Sequence, residues 1–384
     1  MTTDNGNFRW KITGVNGRFD RATIFEIIIL MDENRTEKSR KEWSTAVNVG
    51  VWGELPKYFT ALAPMEGVTD VIFRQVVARA GRPDLFFTEF TNVSSFASEK
   101  GRDNALERLE VVQTDLPIVA QIWGKNPAHF AELAGALEGL GFAGLDINMG
   151  CPDRHVNAAG GGAAMIRTPE LAVDCLRQAR MATRLPVSVK TRLGYSFVDE
   201  YRTWLPTILK EQPAALTVHL RTRKEMSKVP AHFELIPDII GLKKAFSPET
   251  KLVVNGDIKN LEQAKRLVKR YPEVDGFMIG RGVFENPFCF TEHTATRGEL
   301  MDLLQYHLDL YDEKDAEIKL RRALKLGEGE DVEVRGLAFE PLKRFFKIYL
   351  HSFPGAVELR TRLMECRNTA EVRKILKEAR DREG

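Results

Sequence analysis

A cysteine at the end of an apolar run is the residue in this sequence best suited to chemistry. The run Gly144–Asn148 has the composition of a buried strand, and Gly150, Cys151 and Pro152 follow it at once. Glycine and proline fix a turn, so the thiol is held at the end of the strand. An unperturbed thiol has a pKa of about 8.5 and is mostly protonated at neutral pH. We therefore predict that Cys151 is catalytic and can donate a proton as well as act as a nucleophile. The cysteines predicted to be structural are Cys175, Cys289 and Cys366.

Polar side chains also follow other apolar runs. Gln121, Lys190 and His219 each stand at the end of such a run. Taken singly, a lysine there is usually a solvated charge at the rim, and a histidine is usually structural. Together they favour a shared pocket, because the carboxyl ends of successive parallel strands converge on one site.

Two glycine-containing turns point to a phosphorylated cofactor. Gly256 follows one apolar run, and Gly280 and Arg281 follow the next. In barrel enzymes, backbone N–H groups of these last two loops bind phosphate, and an arginine adds a charged donor. Gln121 could then bond the edge of a pyrimidine-type ring, and Lys190 could stabilise an anionic reduced flavin. This set favours FMN over pyridoxal phosphate, with which the lysine would form a Schiff base, although spacing alone leaves both possible.

The elements that carry these residues predict a closed barrel. Short apolar runs alternate with helical patterns, which is typical of a (β/α)8 TIM barrel, and the barrel is predicted over residues 58–295. A doubly wound sheet is the alternative, but its usual G-x-G-x-x-G turn after the first strand is missing. The predicted strands are Phe59–Ala63, Leu85–Thr88, Ile118–Gln121, Gly144–Asn148, Val187–Lys190, Leu216–His219, Leu252–Asn255 and Gly276–Gly280.

The segments on either side of the barrel differ from it in pattern. Residues 1–57 are predicted to be an extension of unknown order, in which Ile24–Met31 is the longest apolar run. That run is too short to span a bilayer and does not resemble a secretory leader. Residues 296–384 show helical periodicity, interrupted by an acidic loop at Gly327–Asp331, and are predicted to form a small helical domain.

The composition is that of an ordinary globular protein and excludes several classes. The 384 residues are 43% hydrophobic and 29% charged, with a formal net charge of +2. A nucleic-acid partner must therefore be bound by local basic patches rather than by bulk charge. The four cysteines form no C-x-x-C pair, which argues against a zinc site or a disulfide framework. We expect a cytoplasmic protein that binds no membrane and no metal.

The motifs resemble, in order and approximate spacing, those of the tRNA-dihydrouridine synthases. The resemblance runs from about Tyr58 to about Leu359, and its most specific part is the Asn-Met-Gly-Cys-Pro segment ending at Pro152. The segments that carry it are Ala63–Asp70, Thr88–Phe90, Ala120–Gly124, Asp146–Pro152, Val189–Arg192, Val218–His219, Asn255–Asp257 and Met278–Gly282.

The resemblance implies a barrel that holds FMN, followed by a helical tRNA-binding domain. NADPH would reduce the flavin and leave, a tRNA uridine would accept hydride at C6, and Cys151 would protonate C5. Asn148 would contact the uracil. The positions implied for FMN are Pro64, Met65, Gln121, Lys190, His219, Asn255, Gly256, Gly280 and Arg281, with Glu66 and Asp257 contributing through their backbone.

A basic helix is the predicted RNA contact in the C-terminal domain. Glu340–His351 is predicted to be one helix whose Lys343, Arg344 and Lys347 meet the phosphate backbone. Alone, this pattern is typical of an amphipathic helix with a solvated basic face. The resemblance makes RNA contact the better interpretation. Further candidates beside the pocket are Arg221, Lys224 and Lys228.

Two departures from relatives and two alternative functions remain at this point. Leu220 stands where relatives often have glycine, and the loop Val156–Gly162 lacks the basic residues that many relatives have there.

A small-molecule FMN oxidoreductase of the dihydroorotate dehydrogenase type would share the barrel and the flavin, but would not need the helical domain. An RNA-binding barrel without chemistry is the non-enzymatic alternative. The sequence does not indicate which uridine is modified.

Overall fold

The computed structural model describes residues 47–326, 334–351 and 353–381. The apolar run Ile24–Met31 and the acidic loop Gly327–Asp331 lie outside the described residues. Most of the predicted N-terminal extension does as well.

Nine parallel strands form one sheet, and each strand follows its neighbour around a barrel. The order is β1-β9-β8-β7-β6-β5-β4-β2, and the short β3 pairs with β4. The strands are β1 (Phe59–Leu62), β2 (Phe86–Phe87), β3 (Thr91–Asn92), β4 (Ile118–Trp123), β5 (Gly144–Met149), β6 (Val187–Arg192), β7 (Ala215–His219), β8 (Lys251–Asn255) and β9 (Gly276–Ile279).

The first and second strands close the barrel. A parallel bridge joins Ala61 to Leu85, and Leu62 donates its N–H to the Leu85 carbonyl at 3.1 Å. The predicted (β/α)8 barrel is therefore confirmed, with all eight predicted strands in the predicted order. Strand β3 was not predicted, because its two residues, Thr91 and Asn92, are polar and form no apolar run.

Helices lie between the strands and continue beyond the last one. They are α1 (Val51–Glu54), α2 (Val71–Gly81), α3 (Val93–Ala97), α4 (Glu99–Glu107), α5 (Pro127–Leu137), α6 (Arg154–Ala158), α7 (Pro169–Ala182), α8 (Tyr201–Leu209), α9 (Ile236–Phe246), α10 (Leu261–Arg270), α11 (Gly282–Glu285), α12 (Arg297–Leu326), α13 (Phe346–Tyr349), α14 (Ala356–Glu365) and α15 (Thr369–Asp381). Five short 3₁₀ segments occur in the described residues at Gln113–Asp115, Gly162–Arg167, Val198–Glu200, Phe233–Leu235 and Glu340–Phe345.

Local sequence explains where several of these helices begin. The Asp70 carboxylate accepts the Phe73 N–H at 2.8 Å and caps α2, and Asn260 accepts the Gln263 N–H at 2.9 Å and caps α10. Such side-chain acceptors satisfy N–H groups that the first turn of a helix leaves unpaired. Pro127 begins α5, a position where the missing N–H of proline costs nothing.

The end of the predicted extension packs under the barrel. Residues 47–57 include α1, and its Trp52 is only 1% exposed. The Trp52 ring lies 5.9 Å from the ring of Phe59 and 6.1 Å from that of Phe87. Packing against the barrel therefore already occurs at Trp52, six residues before the predicted boundary at residue 58.

The C-terminal helices pack against α2 on the outside of the barrel. The Phe345 ring lies 4.9 Å from the ring of Phe73 in α2. His307 of α12 is buried and bonds through Nδ1 to the Tyr349 hydroxyl at 2.6 Å. Burial lowers the pKa of His307 to about 3, so this histidine is neutral in the core. A helical C-terminal region is confirmed.

The prediction of one amphipathic helix over residues 340–351 is wrong. A 3₁₀ segment covers Glu340–Phe345, and the single turn α13 follows it. The apolar side chains at 342, 345, 346, 348, 349 and 350 are all buried, whereas Arg344 and Lys347 are exposed. The segment therefore has an apolar and a basic side, but not on one regular helix, and Lys343 lies on the buried side.

Within the described ranges, every helix is too short or too polar to cross a lipid bilayer.

Candidate active site

A cavity of about 1100 Å³ opens at the carboxyl ends of the barrel strands. Its size is at the upper end of small-molecule sites, so it has room for more than one ligand. Most of the residues singled out from the sequence line it. They are Pro64, Met65, Glu66, Asn148, Cys151, Lys190, His219, Asn255, Gly256, Asp257, Gly280 and Arg281.

The loop after β5 holds Cys151 in a fixed position in this cavity. Asn148 Oδ1 accepts the N–H of Gly150 at 3.1 Å and of Cys151 at 2.9 Å. The Asn157 amide donates to the Cys151 carbonyl at 2.8 Å. Gly162 has a φ of +57°, and a side chain there would meet the same carbonyl at 2.9 Å. Burial raises the pKa of the Cys151 thiol above its ordinary value, so the thiol is protonated at neutral pH.

A buried hydrogen-bonded chain runs from Asn148 into the barrel. Asn148 Nδ2 donates to Gln121 Oε1 at 2.9 Å, and Gln121 Nε2 donates to Asp146 Oδ2 at 2.7 Å. Ser188 donates its hydroxyl to Asp146 Oδ1 at 2.6 Å. Burial raises the pKa of Asp146 to about 6. Gln121 was predicted to face a cofactor ring, but it is fully buried and lies behind the residues that line the cavity.

The cavity beside Cys151 is positively charged. Lys190 and Arg192 line it, and burial is the largest cause that lowers the pKa of Lys190, to about 8. Burial also lowers the pKa of His219 well below its ordinary value, and the cations Arg192, Lys190, Arg221 and Arg281 lower it further. His219 is therefore neutral beside four positive charges. Such a region attracts an anionic group.

Glycines let backbone form one wall of the cavity. Gly256 has a φ of +117°, and a Cβ there would lie 3.3 Å from the Ala231 Cβ and 3.5 Å from His219 Cε1. A Cβ at Gly282 would collide with the Lys259 carbonyl oxygen. Backbone N–H groups can approach a ligand closely at such positions.

Asp257 joins two arginines at this wall. Its carboxylate accepts from Arg221 and from Arg281, the latter at 3.0 Å, and also from the Ala231 N–H at 3.0 Å. Arg221 is only 2% exposed, donates to the Val229 carbonyl at 2.6 Å, and does not line the cavity. The prediction that Arg221 contacts substrate is thus not supported, since burial behind Asp257 keeps it from the ligand.

The three basic residues predicted in the C-terminal region lie outside the cavity and differ in exposure. Arg344 is exposed and donates to the Gly67 carbonyl at 2.8 Å, on the loop after β1. Lys347 is exposed. Lys343 is buried and pairs with Glu340 at 2.7 Å, so direct contact of Lys343 with RNA is not supported.

Comparison with known proteins gives the same assignment as the motifs. A family model described as dihydrouridine synthase matches residues 61–383. The chain belongs to the dihydrouridine synthase family. It is 50% identical over 329 residues to the probable tRNA-dihydrouridine synthase 2 of Bacillus subtilis (strain 168), which covers 85% of this chain and 95% of that protein. It is 45% identical over 331 residues to the probable tRNA-dihydrouridine synthase of Staphylococcus aureus (strain COL), with 85% and 94% covered.

This dihydrouridine synthase is therefore an oxidoreductase of the family that the motifs indicated. Membership argues against the alternative of a small-molecule oxidoreductase of the dihydroorotate dehydrogenase type. No group of three or more histidine, cysteine or acidic side chains in the described part of the chain is arranged to hold a metal ion.

The two departures from relatives have clear structural settings. Leu220 is fully buried and has no positive φ, and its N–H donates to the Asn255 carbonyl at 2.9 Å. The leucine therefore fills core space without straining the turn. The side chain of Lys125, on the loop that joins β4 to α5, lies against Gly160. The loop 156–162 therefore has a basic residue beside it, although it carries none itself.

Sequence reasoning missed three residues that support the site. Asp146 and Ser188 lie under the cavity, and Arg192 donates to the Gly150 carbonyl at 2.7 Å. A signal for two of them was present, since Asp146 and Ser188 each stand between two apolar residues of a strand. A buried polar residue in a barrel strand needs a partner, which is usually on the neighbouring strand.

Proposed function

We propose that this protein is a tRNA-dihydrouridine synthase that reduces the C5–C6 double bond of specific uridines, with FMN as cofactor, NADPH as reductant and Cys151 as proton donor. The observation that carries the proposal is the position of Cys151, whose backbone N–H is held by Asn148 and which lines the same cavity as Lys190 and Arg192. The names of the two relatives support tRNA as the substrate.

The residues present fit FMN. The Lys190 amine makes no hydrogen bond or ion pair with the described residues, although it lies deep in the cavity. That leaves a charged donor for the ring of an anionic flavin. The turns at Gly256 and Gly280 and the exposed guanidinium of Arg281 suit a phosphate. Neutral His219 can donate a hydrogen bond without adding a charge.

The protein's own residues account for the proton half of the reduction. When bound, FMN supplies a hydride to uracil C6 after reduction by NADPH. The Cys151 thiol then gives its proton to C5, so that one hydride and one proton add across the double bond. The thiolate left behind is stabilised by Arg192 and Lys190, the charges that lower the Cys151 pKa against the effect of burial. Solvent restores the proton.

Asn148 would serve two purposes in this reaction. Its oxygen fixes the cysteine loop, and its amide lines the cavity where the uracil would lie. Because Nδ2 already donates to Gln121, the amide has one N–H left for a uracil oxygen.

Exposed cations are the proposed contacts for the tRNA backbone. Arg344 and Lys347 in the C-terminal region are both exposed. Since Arg344 is bonded to Gly67, beside the cavity mouth, RNA bound there would lie near the reaction site.

The test is direct measurement of product. Purified protein is incubated with FMN, NADPH and tRNA lacking dihydrouridine, and dihydrouridine is measured by mass spectrometry. The wild type should bind FMN and form dihydrouridine. Cys151→Ala should bind FMN and still be reduced by NADPH, but should form product at least ~100-fold more slowly, since general acid catalysis contributes about that much.

Cys289→Ala is the matched control, because this cysteine is buried and does not line the cavity. Its product rate should equal that of the wild type. Wild-type protein that binds FMN but makes no dihydrouridine in tRNA would refute the proposed substrate, and would favour the non-enzymatic alternative if NADPH is not oxidised either. If Cys151→Ala formed dihydrouridine at the wild-type rate, the role of the thiol would be refuted, but the proposed substrate and cofactor would not.

A further inference from the structure

An aromatic ring stands exposed on a rigid loop beside the cavity. Phe197 is 69% exposed, on the loop between β6 and α8. The Glu200 carboxylate accepts the Phe197 N–H at 3.2 Å and the Ser196 N–H at 3.2 Å. Gly194 allows this tight fold, because a side chain there would collide with the Phe197 carbonyl and with Glu200. The backbone of Phe197 is thus fixed while its side chain faces water.

The loop after β7 pairs with this loop. Arg223 donates its N–H to the Gly194 carbonyl at 2.9 Å, and Lys224 donates to the Tyr195 carbonyl at 2.9 Å. Two loops that cross-link in this way form one surface, rather than two independent segments.

The paired loops are attached to the cavity. Arg192, which lines the cavity, donates to the Met226 carbonyl at 3.2 Å. Met226 and Ser227 also line the cavity, two and three residues after Lys224. The Phe197 surface therefore continues from the cavity mouth.

Cations flank the aromatic rings of this surface. The Lys224 ammonium lies 5.9 Å from the centre of the Phe197 ring. The guanidinium groups of Arg167 and Arg223 lie 5.1 Å and 5.4 Å from the Tyr195 ring. Exposed aromatic rings beside Lys and Arg are how many proteins hold unpaired nucleotides, because bases stack on the ring and phosphates meet the charge.

The acidic residues of these loops make their contacts away from these cations. Glu200 accepts backbone N–H groups, Glu225 accepts from Thr222 and His232, and Glu234 bonds to His232. Among the described residues, no ion pair joins Arg167, Arg223, Lys224 or Lys228 to these carboxylates or to Asp199. These four cations can therefore meet an anionic partner.

We propose that Phe197 and Lys224 form a stacking platform for the base that neighbours the target uridine in tRNA. The inference rests on the proposed function. Moving a uridine into a pocket takes it out of its stack and leaves the adjacent base without a stacking partner. Phe197 offers a replacement ring next to the cavity, and Lys224 offers a charge to the adjoining phosphate.

The test compares Phe197→Ala with Phe197→Trp. Loss of one base–aromatic stack should weaken tRNA binding and raise KM about 5- to 150-fold, whereas tryptophan should keep KM near or below the wild-type value. Lys224→Ala should lower the slope of log binding constant against log salt concentration by about one, because one phosphate contact is lost. Reduction by NADPH in the absence of tRNA should stay at the wild-type rate in all three variants, since none of these residues lines the cavity.

Met181→Ala is the matched control, because Met181 is 61% exposed on α7 but has no cation–aromatic contact. Its KM should match that of the wild type. A folded Phe197→Ala protein with wild-type KM and affinity for tRNA would overturn the platform while leaving the proposed function intact. A wild-type dimer that Phe197→Ala makes monomeric would also overturn it, because the ring would then belong to an interface between copies. Failure of the wild type to make dihydrouridine would refute the proposed function instead.

Discussion

Substitutions at Asp146 test whether the buried hydrogen-bonded chain positions the thiol of Cys151, the proposed proton donor. Asp146 accepts hydrogen bonds from Gln121 and Ser188, and Gln121 in turn accepts from Asn148, which holds the N–H of Cys151. We compare two variants of similar size. Asp146→Asn keeps a hydrogen-bond acceptor at this position, and Asp146→Leu removes it.

The structure gives different expectations for the two variants. In Asp146→Asn, the new oxygen can accept from Gln121, and the new NH₂ can donate to the Ser188 oxygen. Ser188 can then direct its own hydrogen to the Leu145 carbonyl, 3.4 Å away. In Asp146→Leu, Gln121 keeps a buried donor with no acceptor, which costs about 1–3 kcal/mol. If Gln121 rotates to avoid this, it withdraws its acceptor from Asn148.

Single-turnover kinetics measure the consequence for Cys151. Enzyme reduced beforehand is mixed with tRNA, and dihydrouridine formation is followed with time. Because a 1 Å displacement of a reacting group can cost about 100-fold, Asp146→Leu should be slower by up to that factor. Asp146→Asn should stay close to the wild-type rate. Thermal unfolding of each variant separates loss of the fold from displacement of the thiol.

Two results would refute this reasoning. Wild-type kinetics in a folded Asp146→Leu protein would mean that the chain does not position Cys151. Equal loss of activity in both variants would mean that the negative charge of Asp146 matters, and not its hydrogen bonds.

Three further predictions follow from burial. The pKa of Asp146 is raised from 3.8 to about 6, so between these pH values the folded wild type binds a proton that the unfolded chain does not. The free energy of unfolding, measured by denaturant titration, should therefore fall as the pH rises from about 4 to about 6, and Asp146→Asn should not show this fall. The pKa of Cys151 is raised, so its thiol should stay protonated past the ordinary thiol pKa, and its rate of alkylation by iodoacetamide should rise only at higher pH; a rise that begins below pH 8 would contradict this. Trp52→Ala should lower the free energy of unfolding by about 3–5 kcal/mol, because a buried ring between Phe59 and Phe87 is lost, whereas an exposed ring would cost almost nothing.

The barrel could be predicted because each strand is a short apolar run that a helical pattern follows. Strands such as Gly144–Met149 are buried on both faces, so their composition alone marks them. Residues 340–351 could not be predicted in the same way. Their apolar side chains pack against α2 and α12, elements distant in sequence, and nothing local distinguishes that burial from the apolar face of a regular surface helix.

The candidate site could be predicted in outline, because strand ends converge whatever the details of packing. Depth could not. Gln121, Lys190 and His219 end their predicted strands and Arg221 follows the last of these, but Gln121 is buried below the cavity and Arg221 behind Asp257. Which of several polar residues reaches a ligand depends on the stagger of neighbouring strands, and one sequence does not reveal that stagger.

The register of the strands explains why a polar floor lies under the cavity. Across β4, β5 and β6, Gln121 pairs with Asp146 and Asp146 with Ser188, so these three form one layer inside the barrel. Two residues further along, Asn148 pairs with Lys190 and lines the cavity. Because side chains alternate along a strand, residues two apart share a face, and the cavity layer rests directly on the polar one. The hydrogen bonds between these layers therefore hold the cysteine loop from below, on strands that cannot shift without breaking the barrel.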